Sequence, residues 1–328
     1  MTTQSDAPAG LIHAKRLDGA GGADEVAWSE LSSAGALAEQ LWLHFDFEDP
    51  QAQRWLENDS QLNDVAYRAL ISDETRPRSL NRGDNLLLTL RGINHNRGAE
   101  PEDMVSLRLW TDGKRLITTR RRQLASTRDV IDELNAGSGP RSTVELLVYL
   151  IERITDRMSD TIESFEDELL DIEGRLLSDQ TDGIRSELSM LRKRTVSVRR
   201  YLSPQREAMN RLVNEGLSWI DEMSRLKLRE ATDRLIRHIE NMDEVRDRAA
   251  LAQEELASRI AEQLNARSYL FTVAAVIFLP LGFLTGLLGI NVGGVPGSGN
   301  DEAFWIVLAL CIGISALLGL LLHVRRWL

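Results

Sequence analysis

Two blocks in the last quarter of the chain break its otherwise mixed pattern of apolar and polar positions. Leu270 to Leu288 reads LFTVAAVIFLPLGFLTGLL and Ala303 to Leu322 reads AFWIVLALCIGISALLGLLL, both without a charged side chain. About 20 residues at ~1.5 Å each match a bilayer core of ~30 Å, so each block predicts a membrane-spanning helix. Nothing earlier in the chain is long and apolar enough to span, and the polar stretch Met1 to Gly10 has no apolar core of a signal peptide. Arg259 and Arg267 precede the first span, and His323, Arg325 and Arg326 follow the second. The connector Gly289 to Glu302 has no Lys or Arg but carries Asp301 and Glu302. The excess of basic residues on the flanks places both in the cytoplasm and the connector outside. Tyr269 and Trp327 are then expected at the inner interface, and Phe304 and Trp305 at the outer one. Pro280, Gly282 and Gly286 weaken the first helix, which lipid tolerates where other helices cover the backbone. This helix is expected to pack closely on others.

Upstream the period changes. Leu41 to Phe47, Leu86 to Ile93, Met104 to Trp110 and Arg115 to Thr119 read as strands, with Asp112-Gly113 as a hairpin turn between the last two. Helical patterns at Gln51 to Glu57 and Leu62 to Leu70 lie between them. This predicts a small α/β domain over residues 1–140, closing at the Gly137-Ser138-Gly139-Pro140 linker. Residues 141–218 predict a hairpin of two long helices, Thr143 to Ser178 and Asp182 to Asn214, before a break at Gly216-Leu217-Ser218. A stalk helix over 219–288 then continues into the first span at about 270–288. The loop 289–302, the second span 303–322 and a basic tail 323–328 complete the expected order.

The stalk carries an apolar stripe: Leu228, Ala231, Leu235, Ile239, Met242, Val245, Ala249, Ala252, Leu256, Ile260 and Leu264. Its period is close to that of a plain α-helix. A helix of roughly 100 Å, at ~1.5 Å per residue, outruns a small domain, so self-association about an axis is the expected cover. Extended into the span, the stripe meets Ser268, Phe271, Ala275, Leu279, Gly282 and Gly286. The acidic run Asp160 to Glu173 and the basic run Arg192 to Arg200 are read chiefly as solvated faces, since exposed pairs contribute little.

Composition narrows the function. The chain has 328 residues, a formal charge of −11 and a single cysteine, Cys311, inside the second span. Internal disulfides are impossible, and the acidic balance argues against nucleic-acid binding. Phosphate-binding, zinc-protease and nucleophile-elbow motifs are missing, and the five histidines are scattered. His238, on the stalk, is read as a packed histidine rather than a ligand. No enzyme and no cofactor is expected. The informative stretch is Thr285-Gly286-Leu287-Leu288-Gly289-Ile290-Asn291, followed by Val292-Gly293-Gly294-Val295-Pro296-Gly297. A spanning helix that ends in Gly and is followed by Asn places an amide oxygen at its outer mouth. Copies of that oxygen converging in a ring suit a hydrated divalent cation.

The series Pro280, Thr285-Gly286, Gly289-Ile290-Asn291 and Pro296, the second span, and the ending Arg325-Arg326-Trp327-Leu328 resemble the CorA family of divalent-cation transporters. The β-branched residue at 290 and the Gly-Gly-x-Pro-Gly that follows resemble its ZntB branch, as do Thr75-Arg76-Pro77-Arg78 and Leu88 to Asn94. The resemblance covers nearly the whole chain. It implies a cytoplasmic αβα domain, long helices and two C-terminal transmembrane helices, assembled as a funnel-shaped homopentamer in a bacterial inner membrane with both termini cytoplasmic. It implies transport of Zn2+ and other divalent ions as cargo, with proton-coupled uptake. Carried over residue by residue, Gly289, Ile290 and Asn291 form the pore mouth, with Asn291 facing the hydrated metal. Phe271, Ala275, Leu279 and Gly282 line the pore, and Arg325 and Arg326 form a basic ring at its inner end. Ile290 stands where the family's usual signature has Met, and Gly297 where the Mg2+-type loop has Glu. Asp301 and Glu302 are candidates to supply that outer negative charge. These departures favour zinc over a Mg2+ or Co2+ channel of the same fold. A tether that merely anchors the soluble domain has no need of Gly282, Gly286 and a Gly-x-Asn mouth.

Overall fold

The computed structural model describes residues 7–31, 40–178, 182–290, 295 and 299–324. The chain forms two compact units, Met1–Gln253 and Glu254–Leu328.

The first unit is built on a seven-stranded sheet: β1 (Leu11–Leu17), β2 (Ala23–Glu25), β3 (Leu41–Asp46), β4 (Arg78–Arg82), β5 (Asn85–Gly92), β6 (Val105–Thr111) and β7 (Arg115–Arg120). Their spatial order is β2-β1-β3-β7-β6-β5-β4. Only β3 and β7 pair in parallel; every other neighbour is antiparallel. Register fixes the core. Ala14, Leu43, Ile117, Trp110, Leu87 and Leu80 form one row across six strands, each opposite the next. Because side chains alternate along a strand, the whole row faces one side. There it meets Trp55 and Leu56 of α2 (Pro50–Asn58) and Ala66 and Leu70 of α3 (Asp64–Ile71); α1 (Trp28–Leu31) adds Leu31. The other side is covered by α5 (Thr143–Leu177) and α6 (Ile184–Asn214), with α4 (Ala125–Asn135) packed on α5. The result is the expected αβα arrangement. Strands β1, β2 and β4 are additions to the sequence expectation.

Local chemistry sets the boundaries. Asp49 accepts from the amides of Gln51 and Ala52 at the start of α2, with Pro50 in the first turn. Ser142 accepts from Glu145 N while the Glu145 carboxylate accepts from Arg141 N, a reciprocal cap on α5. Gly113 turns β6 into β7 at φ 85°, and a side chain there would run into Trp219. The Gly137–Pro140 turn joins α4 to α5 within the same compact unit, with Gly139 N donating to Gly21 O at 2.8 Å.

Helix α7 (Glu222–Gly289) is one continuous helix of 68 residues. Here the structure corrects the sequence reading. The stripe from Leu228 to Leu256 is already buried within a single chain and needs no second copy. In the first unit α7 lies against α5 and α6, whose apolar faces run from Leu146 to Leu176 and from Ile184 to Val213. Polar contacts cross the seam: Arg234 with Asp156, Asn241 with Glu166 at 2.7 Å, Arg248 with Glu173 at 2.6 Å and Arg199 with Asp243 at 2.5 Å. Arg194 reaches Glu168 at 2.7 Å between α6 and α5. The acidic and basic runs are therefore partly paired rather than simply solvated. Each buried Leu or Met contributes ~1.5–3 kcal/mol, against ~0–1 kcal/mol for a part-exposed ion pair. The apolar seam supplies the cohesion and the ion pairs fix its register. Ile260 and Leu264 continue the stripe but are exposed, so only from there on does it lack cover from its own chain. His238 is packed on this seam, with Nε2 3.4 Å from Ser159 Oγ.

Under the sheet, Thr118 Oγ1 accepts from the Trp42 indole at 2.9 Å and donates to Leu43 O at 3.2 Å. His44 Nδ1, 2.8 Å from the same oxygen, must then be the donor, which leaves Nε2 bare and buried. Burial, followed by the charges of Arg120 and His13, holds the His44 pKa well below the ordinary histidine value. A depressed histidine gives stability that is complete above its unfolded value of ~6.5 and lost as pH falls below it, at ~1.4 kcal/mol per pH unit for each excluded proton. Burial also lowers His13, His95 and His238, with the same sign. The soluble unit should therefore lose melting temperature between pH 7 and 5.5, and His44→Gln should flatten that slope without abolishing it. Thermal melts across this range check both.

Candidate functional site

The second unit contains the end of α7 and helix α8 (Ala303–Val324), both long and apolar enough to cross a membrane. Lipid offers no hydrogen bonds, so every polar group in these helices must be satisfied internally. Three Thr and Ser hydroxyls obey this, whereas Tyr269 Oη is buried without a partner among the described residues. Thr272 donates to Ser268 O at 2.9 Å, Thr285 to Leu281 O at 2.9 Å, and Ser315 to Cys311 O at 2.8 Å, each one turn back on its own helix. Pro280 lies inside α7 and removes one donor from its ladder.

The two faces of α7 differ. Tyr269, Val273, Ile277, Leu281, Leu284 and Leu288 are half-buried and recur every three or four residues. On α8 the half-buried positions Ala303, Val307, Cys311, Ile314 and Leu318, with buried Leu322, make a matching line. These two faces cover one another. The sequence-predicted lining residues fall two positions away, about 200° around the helix at ~100° per residue. Phe271 is 76% exposed and Leu279 74%; Ala275 and Gly282 are exposed too. A Cβ at Gly282, Gly286 or Gly289 would meet no atom within 4 Å. Nothing among the described residues of their own chain therefore requires these glycines. The structure groups Phe271, Ala275, Leu279, Gly282 and Gly286 on the face that α8 leaves bare.

Gly289 ends α7 and Ile290 is half exposed beyond it. Asn291, Pro296 and Gly297 lie outside the described residues, as do Arg325 and Arg326. Asp301 and Glu302 are exposed just before α8, where Asn300 Oδ1 accepts from Glu302 N at 3.0 Å. Acidic groups there also complement the helix dipole. Among the described residues no group of three His, Cys, Asp or Glu side chains is placed to hold a metal ion. The bare face offers carbon and backbone rather than side-chain ligands. The residues that the sequence reading assigned to the lining share one exposed face of α7. That reading missed the return of Thr272, Thr285 and Ser315 to their own helices, which the i−4 position of a carbonyl in any helix makes readable.

Known proteins share the sequence and the fold of this chain. A divalent cation transporter of Pseudomonas aeruginosa, CmaX, is 38% identical over 97% of both chains. A zinc transport protein of Yersinia enterocolitica, ZntB, is 36% identical over 93% of both. The solved structure of full-length CmaX superposes with a TM-score of 0.86 at 38% identity, covering 99% of this chain and all of that one. The CorA magnesium transporter of Methanocaldococcus jannaschii shares the fold at a TM-score of 0.81 and 17% identity, covering 96% of this chain and 98% of that one. The family described as CorA-like Mg2+ transporter protein matches residues 38–326. With its αβα unit, its long helices and its two C-terminal apolar helices, the chain belongs to that family and is a transport protein, not an enzyme.

Proposed function

We propose that this chain takes up Zn2+ together with protons, through the axial pore of a homopentamer in a bacterial inner membrane, with both termini in the cytoplasm. The bare face of α7 carries the reading. An apolar line that is open at three glycines and opposite the face covered by α8 is suited to meeting copies of itself around an axis. Small residues let helix backbones approach closely in lipid, where burial from water no longer drives association. Five copies of Asn291 would then form an amide collar at the outer end. Asp301 and Glu302 would raise the local cation concentration beside it. Arg325 and Arg326 would ring the inner end.

The choice of ion rests on chemistry and kinship. Ile290 stands in place of Met and Gly297 in place of Glu, and a relative at 36% identity is named a zinc transport protein. The family description names Mg2+ instead, so a Mg2+ channel is the competing reading. A line without His or Cys does not hold Zn2+ tightly, and conduction needs sites weak enough to leave.

In proteoliposomes loaded with a zinc indicator, Asn291→Ala should cut Zn2+ uptake at least tenfold; unchanged uptake would remove the amide collar from the account. Excess Mg2+ that abolishes wild-type zinc uptake would favour the competing channel. Gly286→Leu should abolish uptake and reduce the pentamer seen by native mass spectrometry, while the soluble unit melts as before. A proton gradient directed inwards should accelerate zinc uptake several-fold. If uptake is indifferent to the gradient, proton coupling fails and the pore is untouched.

A further inference from the structure

Arg108 sits on β6 in the middle of the sheet, 2% exposed, on the side covered by α2 and α3. Its neighbours across the strands are Thr89 and Thr119. One face of its guanidinium lies over the Phe47 ring, 4.5 Å from the centroid. Its edge has no such company: Nε and Nη1 are buried with no acceptor among the described residues. A buried charge without a partner is costly, and arginine, with five donors in a fixed fork, is the least easily neutralised of all. Burial, then the charge of Arg91, lowers the Arg108 pKa to about 10; the carboxylate of Asp73 opposes the shift but is itself exposed. The group thus remains cationic at neutral pH.

Arg108 lines a pocket of about 530 Å³ between α3, β4, β5 and β6. Arg68 and Arg78 stand on its wall, beside apolar Val65 and Leu80, which are both exposed. The partners of these two arginines, Asp64 at 3.1 Å and Glu74 at 3.2 Å, form pairs four residues apart at the surface. Exposed pairs of this kind contribute ~0–1 kcal/mol, so either arginine is readily re-engaged by a better acceptor. A lining arginine with unmet donors, two more arginines at the wall and an apolar flank match a phosphoryl group carried on a small organic body.

We propose that this pocket of the αβα unit binds a phosphate or phosphomonoester, whose oxygens are received by the buried fork of Arg108 with Arg78 and Arg68 beside it. The site lies in the first unit and does not depend on which metal is carried.

The test uses the full-length protein in detergent, free of added metal, with sodium phosphate or AMP titrated against sodium chloride at matched ionic strength. Wild-type protein should gain at least 2 °C in melting temperature with either phosphate or AMP, and Arg108→Met should lose the gain. Without ligand, Arg108→Met should melt at or above wild type, because replacing an unpaired buried charge by an apolar side chain removes a cost. By calorimetry, Arg78→Gln should bind at least fivefold more weakly, a variant at a half-exposed position that tests the site even if Arg108→Met misfolds. AMP binding at least tenfold tighter than phosphate would identify an organic ligand, and equal affinities a bare phosphate. Absence of any response to both, or an equal response in Arg108→Met, would overturn the proposal.

Discussion

A bilayer interior withholds water from every N–H and C=O, and that single shortage shapes the last seventy residues. Only complete helices survive there, and their side-chain hydroxyls must turn inward as well. Thr272, Thr285 and Ser315 do so on their own backbones. Among the described residues the face from Phe271 to Gly282 is left neutral and small-residued, with neither a cage of ligands nor a line of charges.

Much of this was readable in advance, for identifiable reasons. The spans were legible because a charge-free run of 20 residues has few competing explanations. Strands β3, β5, β6 and β7 were legible from apolar density, and the β6–β7 turn from Asp112-Gly113. Strands β1 and β4 were not. Lys15 and Arg16 interrupt the first, and Arg78, Asn81 and Arg82 the second, so neither shows clean alternation. Their strand character comes from neighbours in the sheet, which local sequence does not encode.

The stripe on α7 teaches a different point. Its period was correct and its cover was assigned to the wrong partner between Leu228 and Ala252, where α5 and α6 of the same chain share the work. A one-dimensional pattern states that a face is buried and is silent about what buries it. Arg108 was missed for the complementary reason. A lone arginine in VSLRLWT looks like the solvent side of an alternating strand, and only the register beneath α3 reveals that it is enclosed.

The parallel pairing of β3 with β7 has a consequence for biogenesis. Leu41 must wait for Arg115 before the middle of the sheet can close. A nascent chain halted before β7 would hold two half-sheets, β2-β1-β3 and β6-β5-β4, each offering an unpaired inner edge. Such edges are templates for strand addition by other chains. Truncation within residues 112–114 should therefore be far more prone to aggregate than truncation after α4, and chaperone dependence should concentrate in that window of synthesis.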